Sequence, residues 1–148
     1  MKKDYPAKHE WGAYNIKPRG IMIEELLLGE DGGTATDLKM HCFGGEIGYI
    51  QYEPGRFDNI KQNIHLPNGD LIDTLGDQTQ WLNDKEVSNV REHLGDQIID
   101  ECIGYAEDLS KGLDYTRIDL FLTNEGVRFG EFTNYPRSGQ PQAPKWEE

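Results

Sequence analysis

The sequence predicts an α+β domain, a mostly antiparallel sheet with one main packing helix. Three observations predict it. Two pairs of alternating runs, 37–52 and 116–133, each flank a short connection rich in Gly or Asn, the pattern of β-hairpins. Between them, residues 98–113 repeat apolar side chains at helical spacing.

Taken in order, residues 1–19 are polar and basic-leaning, and Pro6, Gly12 and Pro18 interrupt any helix. They read as a leading arm with Trp11 as an aromatic anchor. Gly20 to Leu28, GIMIEELLL, reads as a strand apolar enough near its start to be buried on both faces. Gly29–Thr34 is a flexible turn, followed by the hairpin Asp37–Phe43, Gly44-Gly45, Glu46–Tyr52. Glu53-Pro54-Gly55-Arg56-Phe57 turns the chain again. The polar stretch 59–81 holds a strong turn at Pro67-Asn68-Gly69-Asp70, with short strands expected over 60–66 and 71–74. Asn83-Asp84-Lys85-Glu86 carries a helix-start signature, a capping Asn with Glu three residues on.

After Gly95 comes the clearest helix. Ile98, Ile99, Cys102, Ile103, Ala106, Leu109 and Leu113 recur at spacings of one, three and four, with acidic residues mostly between them and Gly112 as the stop. The acidic face reads as solvated surface, and the apolar stripe as the side packed on the sheet. In the closing hairpin, Ile118, Leu120 and Leu122 alternate with Asp119 and Phe121, and Thr123-Asn124-Glu125-Gly126 makes the turn. A Pro-rich tail follows from 140 to 148. The chain therefore reads as a single domain, 1–148, with 20–139 as its body.

With 15 basic against 27 acidic residues the net charge is −12, which argues against nucleic-acid binding and against an anionic membrane surface. Mean hydropathy is −0.74, and no apolar run approaches the length of a membrane span. Cys42 and Cys102 stand apart with no ligand spacing, as small buried hydrophobes of a reducing compartment do; a cytoplasmic protein is expected.

The chemistry concentrates in the last hairpin. If it closes around Asn124-Glu125, Glu131 stands level with Asp119. Side-by-side carboxylates repel unless a cation lies between them or a proton is shared. Spacing alone leaves two readings: solvated charges on the polar face of an ordinary hairpin, which are common, or oxygen ligands of a divalent ion such as Mg²⁺.

Arg117-Ile118-Asp119-Leu120-Phe121, then Phe129-Gly130-Glu131-Phe132-Thr133, then Tyr135-Pro136 and Ser138-Gly139, resemble the closing hairpin of the ATP-grasp superfamily. The match is to its teichuronopeptide-biosynthesis-like (TupA-like) branch, associated with cell-surface polysaccharide modification. It runs in order from about Trp11 to Gly139, through Asp37-Leu38-Lys39. The resemblance implies that Asp119 and Glu131 hold the Mg²⁺ of Mg-ATP. The superfamily pattern ends Glu-x-Asn; here Thr133 takes that place and Asn134, the implied third ligand, comes one residue late. Glu24, Glu25, Leu26 and Leu27 fall where the family's hinge reads adenine and ribose, and Asp37 and Lys39 where the sugar side and phosphates are met. Arg56 and Arg137 would contact the γ-phosphate or an acyl-phosphate, a task suited to the planar guanidinium fork. His41 reads as a structural residue or a minor member of the site.

The function so implied is an ADP-forming ligase that activates a small-molecule carboxylate by phosphorylation and passes the acyl group to an amine or similar nucleophile. The resemblance covers only the C-terminal part of such enzymes. A homodimer or a partner chain is then expected to supply the opposing lobe, and the chain alone to bind ATP weakly, on the order of 0.1–1 mM. The competing expectation is a non-catalytic lobe that serves as a ligand- or partner-binding module.

Overall fold

A computed structural model describes residues 20–21, 23–53, 62–72, 87–134 and 136. Its element order is β1 (Thr36–Phe43), β2 (Glu46–Glu53), β3 (Asn63–His65), α1 (Val90–Leu94), α2 (Asp96–Ser110), β4 (Tyr115–Thr123) and β5 (Gly126–Thr133). The five strands form one sheet in the order β3-β2-β1-β4-β5, and every neighbouring pair is antiparallel. The expected α+β architecture, an antiparallel sheet with one main helix, is the one observed.

Both hairpins close where the sequence places their turns. Gly44 and Gly45 take positive φ between β1 and β2, and Gly126 does so between β4 and β5. In the second turn the Thr123 hydroxyl donates to Gly126 O and accepts from the Glu125 N–H, which fixes a two-residue connection. β1 and β4 lie side by side at the centre of the sheet, and α2 covers one face. Leu38, Met40, Cys42, Ile50, Ile118 and Leu120 point to that face and are buried against Ile99, Cys102 and Ala106 of the helix. The buried helix positions fall at 99, 102, 106 and 110, the period of a single packed stripe. Both cysteines are free and buried, as small hydrophobes would be. Ile98, Leu109 and Leu113 lie at the edge of the stripe and remain more than a third exposed.

Two local expectations are corrected. Gly20–Leu28 is not a buried strand in its described residues: Ile21 and Ile23 are 92% and 91% exposed, and pairing is limited to a bridge from Leu28 to Thr34. Apolar character alone makes no strand, because a strand needs a neighbour. Here the groups at the end of the run bond elsewhere, Leu27 O to Ala35 N and Leu28 O to Asn124 N in the β4–β5 turn. The strand expected over 60–66 is only Asn63–His65 among described residues, and Leu71 contributes a single bridge to His65. The helix that follows starts at Val90, with Asn89 as cap accepting from the N–H groups of Arg91 and Glu92. The signature at 83–86 lies outside the described residues, as do the leading arm 1–19 and the tail 140–148. No helix among the described residues is long and apolar enough to cross a membrane.

Candidate functional site

The face of the sheet opposite α2 carries the polar side chains, and the strand register sets them in rows. On β1 the residues facing this side are Asp37, Lys39, His41 and Phe43, which pair across β4 with Phe121, Asp119, Arg117 and Tyr115. Across β2 the same positions meet Glu53, Gln51, Tyr49 and Glu46. Asp119 pairs with Glu131 and Arg117 with Thr133 on β5. The two-residue turn alone would oppose Asp119 to Gly130 and put Glu131 on the other face; the juxtaposition of the two carboxylates needs a one-residue slip in register.

Between Asp119/Glu131 and Leu120/Phe129 the register slips by one residue, a bulge that leaves Gly130 unpaired. A side chain there would sit 2.7 Å from the Phe121 ring and 3.0 Å from Asp119 O, so the close approach of the strands requires glycine. The bulge turns the edge strand at the level of the carboxylates.

Charge on this face is paired internally. Arg117 Nε donates to Asp119 Oδ1 at 2.6 Å and Nη2 to Oδ2 at 2.7 Å, a bidentate contact. The same Nη2 reaches Thr133 Oγ1 at 3.1 Å and Glu131 Oε1 at 3.4 Å. The cation between the two acids is therefore a guanidinium. Lys39 is held by Asp37, with Glu53 at 3.4 Å and Asp119 at 3.6 Å. Burial raises the Asp119 carboxyl above its usual range, against the lowering pull of Arg117 and Lys39. Asp37 is 4% exposed, and its Oδ1 has no hydrogen-bond partner among the described residues. A buried, open carboxylate oxygen is a place where a donor or a cation is missing.

These groups line an open cleft of about 490 Å³. Asp37, Lys39, Arg117, Asp119 and Glu131 form its polar floor, Phe121, Phe129 and Gly130 one side, and Glu24, Glu25 and Leu27 of the extended arm the other. Seven of the sequence-predicted site residues thus meet in one cleft: Glu24, Glu25, Leu27, Asp37, Lys39, Asp119 and Glu131. Leu26 is 71% exposed and does not line it. Asn134 is not brought to the carboxylates, because its Oδ1 accepts from Thr116 Oγ1, whose side chain is buried on the core face. Thr133, one residue earlier, faces the site. Arg56 and Arg137 lie outside the described residues.

Sequence reasoning passed over Arg117, Gln51 and Glu53 as site residues. The signal for Arg117 was present, since a two-residue offset on a strand puts it on the face of Asp119. Gln51 and Glu53 become visible only once β2 is aligned with β1.

The donor set suits magnesium. Asp119 and Glu131 offer hard oxygen ligands, and a carboxylate that accepts two hydrogen bonds still has open lone-pair sites. Among the described residues no three His, Cys, Asp or Glu side chains are placed to hold a metal ion by themselves.

Among solved structures, the chain is similar to the ATP-grasp ligase PsnB complexed with minimal precursor, at 18% identity and a TM-score of 0.38. The alignment covers 80% of this chain, which spans 29% of the ligase. No curated protein matches. The family model described as TupA-like ATP-grasp matches residues 1–146, nearly the whole sequence, and the chain belongs to that family.

Proposed function

We propose that this chain carries the nucleotide-binding and phosphoryl-transfer face of an ATP-grasp ligase. In this reading it binds Mg-ATP and activates a carboxylate as an acyl-phosphate, which an amine or similar nucleophile then attacks with release of phosphate. The observation that supports it best is the meeting of Lys39, Arg117, Asp119 and Glu131 in one cleft, from three adjacent strands. Bound there, Mg²⁺ would neutralise charge developing on the transferring phosphoryl group.

The residues have separable tasks. Asp119 and Glu131 hold the metal. Lys39 and Arg117 position phosphate oxygens, the first as a point charge and the second through its fork. Asp37 and Glu53 aim the Lys39 ammonium. Glu24, Glu25 and Leu27 form the wall for the nucleoside; Leu27 O is taken by Ala35 N, so the backbone groups of Glu24 and Glu25 are the ones that would read an adenine edge. Donors fixed before substrate arrives reorganise little during the reaction, which is how such sites lower barriers.

Thermal stability titrated with ADP or a non-hydrolysable ATP analogue tests this reading. At about 5 mM ligand and an affinity of ~0.1–1 mM, the complex gains about 1–2 kcal/mol with Mg²⁺ present. Glu131→Gln, which removes charge at nearly constant shape, abolishes that gain and leaves the fold intact. Undiminished stabilisation in the variant, or stabilisation by nucleotide that is indifferent to Mg²⁺, rules out the assigned metal site.

A further inference from the structure

Beyond Arg117, at the end of the sheet face away from the arm, the polar row gives way to rings. Phe43 and Tyr115 are register partners at 5.1 Å between centroids, and Tyr49 lies 6.1 Å from Phe43. The rings are tilted by 42° and 51° and so do not close on one another as a flat stack. Phe43 is 48% exposed, and Tyr49 and Tyr115 are half-buried. His41 backs the cluster, 1% exposed, with its imidazole stacked on Tyr49 at 4.1 Å. Among the described residues no cationic side chain stacks on these three rings.

The hydrogen bonds behind the rings fix the direction of the Tyr115 hydroxyl. Gln51 Nε2 donates to Glu53 Oε1 at 2.6 Å, so Gln51 Oε1 faces His41 as an acceptor. His41 Nε2, at 3.3 Å from that oxygen, must then carry the proton. A neutral imidazole protonated at Nε2 has a bare Nδ1, which accepts from the Tyr115 hydroxyl at 3.0 Å. The Tyr115 proton is committed inward, so its oxygen can serve an incoming ligand only as an acceptor.

We propose that Phe43, Tyr49 and Tyr115 form a recognition subsite for a primary ammonium group. Ring faces attract a cation within about 6 Å of their centroids, and the Tyr115 oxygen accepts one of its N–H bonds. Charge favours the same occupant. Among the described residues this face holds more carboxylates, Asp37, Glu46, Glu53, Asp119 and Glu131, than cations, Lys39 and Arg117, a negative balance that disfavours an anion. Two residues along a strand is about 6.6 Å, so the subsite begins one such step past Arg117. On the ligase reading, on which this assignment as a substrate subsite rests, that is the location for the amine that receives the activated acyl group, recognised in its protonated ground state.

The test is NMR titration of the tyrosine ring signals with n-butylammonium, and with 1-butanol as its uncharged counterpart. Saturable shifts of the Tyr49 and Tyr115 signals are expected with the ammonium and not with the alcohol. Phe43→Leu, at a half-exposed position, removes one π-face and weakens ammonium binding by about two- to fivefold. Tyr115→Phe removes the acceptor and weakens it further. Equal response to the alcohol makes the cluster an apolar platform and overturns the proposal, as does the absence of saturable shifts or an unchanged affinity in Phe43→Leu. Mg-nucleotide stabilisation, measured on the same samples, separates the two readings. Ammonium binding without nucleotide binding supports the subsite while refuting the ligase assignment; nucleotide binding without ammonium binding does the reverse.

Discussion

His41 makes the stability of this fold steeply dependent on pH, and the dependence can be isolated. Burial of the imidazole pulls its pKa from 6.5 down to about 3, reinforced by the nearby positive charges of Arg117 and Lys39 and only partly offset by the bond to Gln51. The folded state therefore refuses a proton that the unfolded chain accepts. The sign follows: the contribution is fully present above pH 6.5 and is lost as pH falls towards 3. With 1.36 kcal/mol per pKa unit, the unfolded state gains about 2 kcal/mol relative to the folded state between pH 7 and pH 5 from this residue alone. The experiment is urea unfolding of the wild type and of His41→Gln at pH 7, 6 and 5. Gln keeps a polar side chain on the buried face and does not titrate. Other titrating groups, including the buried His65, act on both proteins and cancel in the difference. The variant is expected to be less stable at pH 7, and its deficit to shrink by about 2 kcal/mol by pH 5. Parallel pH profiles would refute the reasoning, because they would mean that His41 is protonated in the folded protein or solvated by water.

Two further outcomes follow from the site itself. Lys39→Met keeps the length of the side chain and leaves Asp37 and Asp119 buried with less compensation; it should destabilise the fold by about 3–5 kcal/mol in denaturant titration. A lysine that served only to meet phosphate from the surface would change stability by no more than about 0.5 kcal/mol, and that result would break the link between the ion network and the fold. Gly130→Val puts a branched side chain 2.7 Å from the Phe121 ring and should cost about 1–3 kcal/mol by the same titration. A cost below about 0.5 kcal/mol would show that the β5 edge moves freely and that the bulge does not set the level of Glu131.

How much was legible in the sequence depended on whether a feature was local. The β4–β5 hairpin was, because its turn and apolar alternation are local; Asp119 and Glu131 met as expected, but through a bulge at Gly130 that the alternation does not show. The helix was too, since its period survives in one dimension. The strand expected at 20–28 failed because pairing is a property of the neighbour, and the neighbouring edge is taken by turn contacts from Thr34, Ala35 and Asn124. Asn134 failed for a reason of parity, one residue past Thr133 being enough to point it at Thr116. Gln51 and Glu53 could not be read at all until the register across β1 was known. A polar residue on a strand says nothing about which cation it will face.

The placement of Arg117 changes what the acidic composition means. A chain of net charge −12 is a poor partner for a polyphosphate, and the described part of the cleft does not reverse that: Lys39 and Arg117 are already engaged by carboxylates. The guanidinium occupies the space between Asp119 and Glu131 that the sequence reserved for a metal. For Arg117 to meet phosphate, those acids must acquire another positive partner, and a divalent ion bound to the same phosphates is one that arrives with the substrate. On the proposed function the exchange is closely balanced. Asp119 and Glu131 would hold the metal, the Arg117 guanidinium would turn to the phosphate oxygens, and no buried charge would be left alone at either end. Nucleotide without metal would strip Arg117 from Asp119 and leave a buried carboxylate with Lys39 at 3.6 Å as its remaining described cation. On the proposed function, the acids that make the site unwelcoming to ATP alone would be the groups that make it selective for ATP carrying its magnesium.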